Sequence, residues 1–553
     1  MQTDYDFVIV GSGSAGSVVA NRLSADAAAR ILVVEAGGQD RNFWLKLPVG
    51  YFRTIYDQRF SRIFETEPSE GSGGRSIPWP RGRIVGGSSS INGLIFIRGQ
   101  HQDFDDWAQM GAVGWSYEDV LPHFRRLERH EGGEDGFHGR DGELPVSQLR
   151  NQNEACRAWV RAAMEYGLPY NPDFNGETTK GVGAYQLSIG RRFRASAAAA
   201  FLRPALKRGN VDLLTRAHVT RVVIEKGRAV GVEIAVGGEV RTIRASREVI
   251  LAAGAIQSPQ ILELSGIGAA DRLREAGIDC IVDAPEVGEN LQDHYQMRLI
   301  VRLNRKLSLN DDVRDPLKLA KMGLDWLLAG KGPLTVGAGQ VGGAAATSHA
   351  FGGRPDVQFN VMPLSVDKPG TPLHRYSGFT ASVWQCHPES RGHVHVANAD
   401  PFAAPRVAPR YFERDIDRRT IVEGVRMLRE INRQPAFRGL WDEEIVPGAA
   451  AASDDALWDA IRSMGGTVFH AVGTCRMGAD DASVVDPQLR VRGIDGLRVI
   501  DASVMPKITS ANTNAATLMI GEKGAAMIRS GQPDGAARDE TGDRAGAPGS
   551  APA

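Results

Sequence analysis

Residues 6–16 read DFVIVGSGSAG, and SVVANRL (17–23) and ILVVE (31–35) follow closely. The short run ending at Val10 is apolar and rich in β-branched residues, as a buried parallel strand requires. Glycines come directly after it, then a segment with helical character, then a second strand ending in an acid. This order predicts a βαβ dinucleotide-binding unit. Gly11 is expected to make the tight turn, Gly13 to let the backbone approach a pyrophosphate, and Gly16 to let the helix pack on the strand. Free N–H groups and the positive end of the helix dipole would hold the phosphates. Ser14, Ala15 and Ala36 belong to the same expected site. Glu35 lies 19 residues past Gly16, where a carboxylate accepts hydrogen bonds from a ribose hydroxyl and repels a 2′-phosphate. NADP is therefore disfavoured. FAD and NAD both fit; the absence of a Tyr-x-x-x-Lys pair favours FAD.

The chain has 553 residues, too many for a single core, with 65 basic and 66 acidic side chains and a net charge of -1. That balance gives no reason to expect nucleic acid or an anionic surface as partner. Cys156, Cys280, Cys386 and Cys475 are widely spaced, which predicts free thiols in a reducing compartment and no metal site. Since the nucleotide strand begins almost at once, no signal peptide is read at the start. No apolar run reaches transmembrane length. A cytoplasmic protein is expected, with a peripheral position at the inner membrane as the alternative.

Residues 65–88 are rich in Gly, Pro and Ser and are expected to form a long functional loop. Residues 211–252 alternate short β-like runs with turn signals and predict an inserted strand-rich layer. Strands are also expected at 356–363 and 379–388, and a helix at 417–433. The tail from 531 has almost no large apolar residue, which predicts disorder. No internal repeat is found.

A second polar centre lies near the other end. Residues 467–478 read TVFHAVGTCRMG, and Asn512 follows His470 by 42 residues, ahead of an apolar helix-like run at 515–520. Imidazole is the side chain able to take and return a proton near neutrality, and the surrounding glycines allow close approach. Asn512 has a competing role as cap of the coming helix, which Asn514 could fill instead.

The segments GRIVGGSSSIN (82–92), GAIQSPQILELSGIG (254–268) and GENLQDH (288–294) resemble signature segments of the glucose-methanol-choline (GMC) flavin oxidoreductases. With the N-terminal glycine loop and the C-terminal block, the resemblance spans roughly residues 4–528, nearest to the bacterial alcohol and choline dehydrogenase branch. It implies an α/β fold in which a Rossmann-like FAD-binding domain carries a second, substrate-binding domain of antiparallel sheet and helices. The expected divisions are 4–300, 301–464, a C-terminal catalytic segment 465–530 folding back on the first, and the tail 531–553.

The same resemblance implies site residues. His470 matches the family's active-site histidine, and Asn512 a partner position that is histidine or asparagine in different members. Arg83, Gly86, Gly87, Ser88, Asn92 and Gly93 would lie along the flavin, with Gly87 and Asn92 facing its ring system. Val219 would meet the adenine through its backbone, and Ala253 and Gly254 would flank the cofactor. Asp501, Ala502 and Thr513 would sit beside its phosphates and ribitol. Ile91 stands where some members bond flavin covalently through histidine, so dissociable FAD is expected. Met362 and Trp384 are candidate pocket residues, though buried methionine and tryptophan more often are plain core. Cys475 and Arg476 are expected to support the loop that holds His470.

The implied reaction is oxidation of an alcohol, expected to be primary, by hydride transfer to FAD, with His470 as base and Asn512 orienting the oxygen. Electrons would pass to a quinone or carrier protein, or to O₂ in an oxidase. A hydroxynitrile lyase is the remaining alternative, because a fold does not decide a reaction.

Overall fold

The computed structural model describes residues 4–150, 152–337, 339–368 and 370–531. The expected disordered tail thus lies, apart from Gly531, outside the described residues.

The opening stretch forms β1 (Asp4–Val10), α1 (Ser14–Leu23) and β2 (Ile31–Glu35). The helix begins three residues before its expected start, directly after the glycine turn. Residues 65–88 are not one loop. A hairpin pairs β3 (Ser61–Glu65) with β4 (Pro78–Gly82), and short 3-10 turns lie at Glu70–Ser72 and Gly87–Ser90. Prolines 78 and 80 hide this strand from a pattern reading, since they are tolerated only at a strand edge.

The strands β5 (Val211–Thr215), β6 (Ala217–Glu225), β7 (Arg228–Val236) and β8 (Glu239–Leu251) do not form a separate layer. The order is β5-β2-β1-β8-β7-β6, in one sheet with β1 and β2. β8 is long enough to serve twice. Its first half pairs antiparallel with β7, and its second half runs parallel to β1, with Val10 opposite Leu251. α2 (Gly254–Leu264) follows.

The second sheet is antiparallel, with strands β9 (Tyr295–Leu303), β10 (Val341–Ala345), β11 (Val357–Met362), β12 (Gly378–Gln385) and β13 (Trp441–Val446) in the order β10-β11-β12-β9-β13. Between β9 and β10 lies α3 (Pro316–Leu324), and α4 (Asp415–Arg433) comes between β12 and β13. The short β14 (Gly466–Thr467) pairs with β9. This sheet takes its strands from either side of residues 300 and 464, and its core takes Trp79 and Trp159 from the N-terminal stretch.

Register explains how the sheet faces a site. Gln296 lies opposite Trp384, and Trp384 opposite Gln358; Arg298 lies opposite Ser382, and Ser382 opposite Asn360. With a side-chain period of two, Gln296, Arg298, Asn360, Met362 and Trp384 share one face. The other face carries Met297, Leu299, Phe359, Val361, Ala381 and Val383, all buried. It packs on α4, where Gly424 leaves room: a Cβ there would stand 3.0 Å from Val383.

The chain end returns to the first sheet. β15 (Leu497–Val499) pairs with β8, and α5 (Asn514–Ser530) lies against α1. A Cβ at Gly521 would stand 2.9 Å from the Ala15 backbone, so glycine permits this approach. Asn512, just ahead of α5, is thereby carried to the glycine loop 500 residues earlier in the chain.

Candidate active site

A cavity of about 560 Å³ runs from the carboxyl ends of β1 and β2 to the polar face of the second sheet. Its nucleotide end is lined by Gly11, Gly13, Ser14, Ala15, Glu35, Ala36, Arg83 and Val219, and further along by Gly87, Ser88, Asn92, Gly93, Ala253, Gly254, Asp501, Ala502 and Thr513. Two expected residues stay off the wall. A Cβ at Gly16 would meet the Gly11 carbonyl oxygen at 2.0 Å, so this glycine serves the packing of helix on strand. Gly86 adopts φ 90°, and a Cβ there would meet Ser90 Oγ at 2.3 Å; it shapes the turn behind the cavity.

The wall fits a dinucleotide. No side chain caps the N-terminus of α1, so its backbone N–H groups face the cavity end uncapped. Gly87 has φ 53°, and a Cβ would lie 2.8 Å from Gly13 Cα. Gly254 has φ 85° with nothing within 4 Å of an added Cβ, so its open side is the cavity itself.

Both carboxylates at this end are held by the protein. Glu35 Oε2 accepts from Ser12 N at 3.1 Å and Ser12 Oγ at 2.6 Å, and Oε1 accepts from Gly37 N at 2.8 Å. Burial raises its pKa against these bonds. Asp501 Oδ2 accepts from Gly254 N and Ser258 Oγ, and Oδ1 from Ser503 N and Oγ. Asp501 thus ties the start of α2 to the segment after β15.

At the far end, His470 and Asn512 meet: His470 Nε2 is 3.1 Å from Asn512 Nδ2. Neither asparagine caps α5. Thr513 occupies the cap position without a side-chain bond, and Asn514 Oδ1 accepts from Ser14 Oγ at 2.7 Å. The capping reading of Asn512 and Asn514 is therefore overturned: α1 draws Asn514 to itself, and His470 draws Asn512.

The structure adds His294, which the sequence reading passed over. His294 Nε2 lies 3.0 Å from the Cys386 carbonyl oxygen, and its Nδ1 lies 3.0 Å from His470 Nδ1. A carbonyl only accepts, so Nε2 of His294 carries the proton and Nδ1 holds a lone pair. His470 must then donate from Nδ1, which leaves its Nε2 unprotonated toward Asn512 and the cavity. Burial, followed by the nearby His294 and Arg81, pushes the His470 pKa well below its usual value. Burial also lowers that of His294, to about 3. Both rings are neutral at physiological pH.

GENLQDH supplies the frame of this loop. Asn290 Nδ2 donates to the carbonyls of Gly473 and Pro506, and Gln292 Oε1 accepts from Ile508 N at 3.0 Å. Asp293 Oδ1 accepts from His470 N at 2.7 Å and Oδ2 from Tyr411 at 2.5 Å. From β4, Arg81 donates to the carbonyl of Phe469 at 2.7 Å, a residue at φ 68°. Cys475 is buried and Arg476 pairs with Asp480 and Glu286.

Trp384 and Met362 both line the cavity. The Trp384 ring stands edge-on to His470 with centroids 6.2 Å apart. Trp384 Nε1 and Asn512 Oδ1 are buried without a hydrogen-bond partner among the described residues, as polar atoms reserved for a guest would be. Gln296, Arg298, Tyr51 and Tyr56 also line this end. Alternation of polar Gln296 and Arg298 with Met297 and Leu299 was the available signal for the first two.

The GMC oxidoreductase family models match residues 5–296 and 388–521. The chain belongs to the GMC oxidoreductase family. It is 39% identical over 535 residues to an alcohol dehydrogenase [acceptor] of Pseudomonas putida, covering 95% of each chain. It is 41% identical over 522 residues to an oxygen-dependent choline dehydrogenase of Brucella canis, covering 94% of each. Among solved structures, pyridoxine 4-oxidase from Mesorbium loti superposes with a TM-score of 0.86 at 29% identity, covering 96% of this chain and 100% of the other. A fungal aryl-alcohol oxidase superposes with a TM-score of 0.84 at 26% identity, covering 96% and 99%. As a GMC oxidoreductase the chain is an FAD-dependent enzyme acting on the CH–OH group of alcohols.

Proposed function

We propose that the enzyme oxidises a neutral primary alcohol to an aldehyde, with His470 as base and Asn512 orienting the oxygen. One observation carries this reading: the Cys386–His294–His470 chain presents an unprotonated Nε2 at the cavity wall, beside an amide donor. An alcohol oxygen within ~3 Å of both groups would donate its proton to Nε2 and accept from Asn512 Nδ2. Bound FAD supplies the hydride acceptor. As His470 takes the proton, its Nδ1–H bond to His294 becomes charge-assisted and strengthens. His294 is thus a positioning residue that favours the proton-loaded state of the base. Glu35, Asp501 and the α1 N-terminus would hold the nucleotide half, with Val219 beside the adenine.

The substrate end argues against a quaternary ammonium. Arg298 lines it between Tyr51 and Tyr56, while Asp367 is largely exposed and bonded to His374 at 2.9 Å. A cation within about 4 Å of that guanidinium would be repelled by roughly 4 kcal/mol at an effective dielectric of 20. Neutral alcohols avoid this.

Anaerobic mixing of the FAD-loaded enzyme with a panel of alkanols, aryl alcohols and choline tests the reading. Bleaching of the flavin by neutral primary alcohols and not by choline is expected. No bleaching by any alcohol would overturn it and favour lyase chemistry. Quinone or dye reduction without peroxide release is the expected reoxidation; rapid peroxide formation would make the enzyme an oxidase.

A further inference from the structure

The helix α3 continues from Leu324 through a wider turn, Asp325–Ala329, as one surface segment. At 3.6 residues per turn, Leu317, Ala320 and Leu324 fall along one side of α3, and Leu327 and Leu328 follow in the wider turn. That side faces out: Leu317 is 83% exposed and Leu328 76%, with Leu324 and Leu327 more than half exposed. The segment is anchored from its other side. Met322 is buried, and Trp326 packs edge-on against Phe43 and Phe193 at 5.9 and 5.6 Å. Both of those rings are themselves partly exposed beside it. A helix normally turns one apolar stripe inward and a polar one to water. This one turns apolar stripes both ways, and the outer stripe is a contiguous patch of the kind that marks an interaction surface.

The charges around it say what covers it. Between Arg305 and Lys331 six basic residues stand against four acidic ones. Lys318 and Lys321 are paired with Asp312 and Asp325 at 2.8 Å each, both lysines remaining substantially exposed. Arg192 reaches over the Trp326 ring and donates to the Leu327 carbonyl, which adds a cation from a neighbouring loop. Leucines interleaved with long basic side chains suit a lipid interface, where the stems lie along the apolar surface and the charged heads rise to the phosphates. The core of an interface between protein copies is instead depleted of lysine.

The stretches flanking the segment reach the active-site cavity. Leu309, which opens the approach to α3, clusters with Val366, Phe52 and Met362, and the latter three line the cavity. At the other end, the 3-10 turn Pro333–Thr335 packs on Pro48–Gly50, next to Tyr51 and Phe52. The cavity wall there carries the exposed Asp367 and Lys368, which marks an opening to the surface.

We infer that the enzyme docks on an anionic phospholipid bilayer through the leucine face of residues 317–328, with the mouth of its cavity beside the membrane. The inference is independent of the reaction proposed above. Among the described residues no helix is long and apolar enough to cross a membrane, and docking by this face needs none.

Flotation of the FAD-loaded full chain with vesicles tests it. The enzyme should float with phosphatidylcholine–phosphatidylglycerol vesicles, more weakly with phosphatidylcholine alone, and less as salt is raised. Replacing three of the exposed leucines together (Leu317→Gln, Leu324→Gln, Leu328→Gln) should weaken vesicle binding by on the order of 10²-fold, with flavin content and thermal melting unchanged. Lys318→Gln with Lys321→Gln and Lys331→Gln should remove the preference for the anionic vesicles while leaving weak binding to phosphatidylcholine. Wild-type protein that stays in the aqueous phase, or a triple-leucine variant that floats as well as wild type, would overturn the inference. Equilibrium sedimentation gives the competing answer: a wild-type dimer that the leucine variant converts to monomer, without vesicle binding, would assign the face to a second copy.

Discussion

Two sets of buried histidines in this enzyme sit in opposite environments. His470 and His294 contact each other, a carbonyl and an amide, with no carboxylate bonded to either ring. His138 lies between Glu128 at 2.8 Å and Asp173 at 2.7 Å, and His395 between Glu263 at 2.8 Å and Glu289 at 3.0 Å. Burial acts downward on the pKa of all four. In the first pair it wins, and the rings stay neutral. In the second, hydrogen bonds to the carboxylates outweigh it and raise the pKa. Burial therefore favours a neutral ring in one place, while in the other the carboxylates favour a protonated one, and the partner's charge decides which. Both nitrogens of His138 and of His395 are engaged by carboxylates.

Removing the proposed base should give the largest effect. His470→Ala is expected to lower turnover by roughly 10²–10⁴-fold with FAD still bound, measured by steady-state rates and flavin absorbance; near-normal turnover would break the distinction between the two sets. His294→Phe removes the acceptor that holds the His470 tautomer. Turnover should fall by about 10–10²-fold, because a wrong tautomer disarms a base, and the acid limb of the rate profile should shift. A change in melting temperature alone, with an unmoved profile, would reduce His294 to packing.

His395→Gln addresses the other set. It should leave turnover within about twofold, since nothing in its contacts reaches the cavity, and cost about 1.5–3 kcal/mol in stability by removing charge-assisted hydrogen bonds to Glu263 and Glu289, which then rely on Arg272 alone for a charged partner. The sign with pH is definite. A raised pKa means that the stabilisation from His395 is present below the free imidazole value of about 6.5 and is lost as pH rises through the folded pKa. Thermal melts of variant and wild type should therefore converge toward alkaline pH. His470 and His294, held neutral, act in reverse: the native state loses stability as pH falls below about 6.5. The smallest effect concerns a position with no imidazole at all. Ile91 is buried on the cavity wall, so acid precipitation should release all the flavin into the supernatant; yellow colour retained in the pellet would point to a covalent bond elsewhere.

Much of this was legible along the chain. The strand, glycine turn, helix and acid at 6–35 are local in sequence, and local geometry alone builds them. His470 and Asn512 were legible as a pair through the resemblance. Less was legible where elements meet elements far away. The prolines of residues 78–82 concealed a strand, and β8 was read as part of a separate layer because its second half belongs to a sheet begun 240 residues earlier. His294 looked like one histidine in a motif; only the path of Cys386 past its ring makes it the group that sets a tautomer.

The sequence by itself determined the nucleotide-binding unit, the family and the two polar side chains that meet at the cavity wall, because each rests on residue types in recognisable local motifs. Tertiary structure decided the protonation state of His470, the release of Asn512 from capping and the outward leucine face of α3. These depend on what stands a few ångströms away in space, and in this fold the neighbours come from segments hundreds of residues apart.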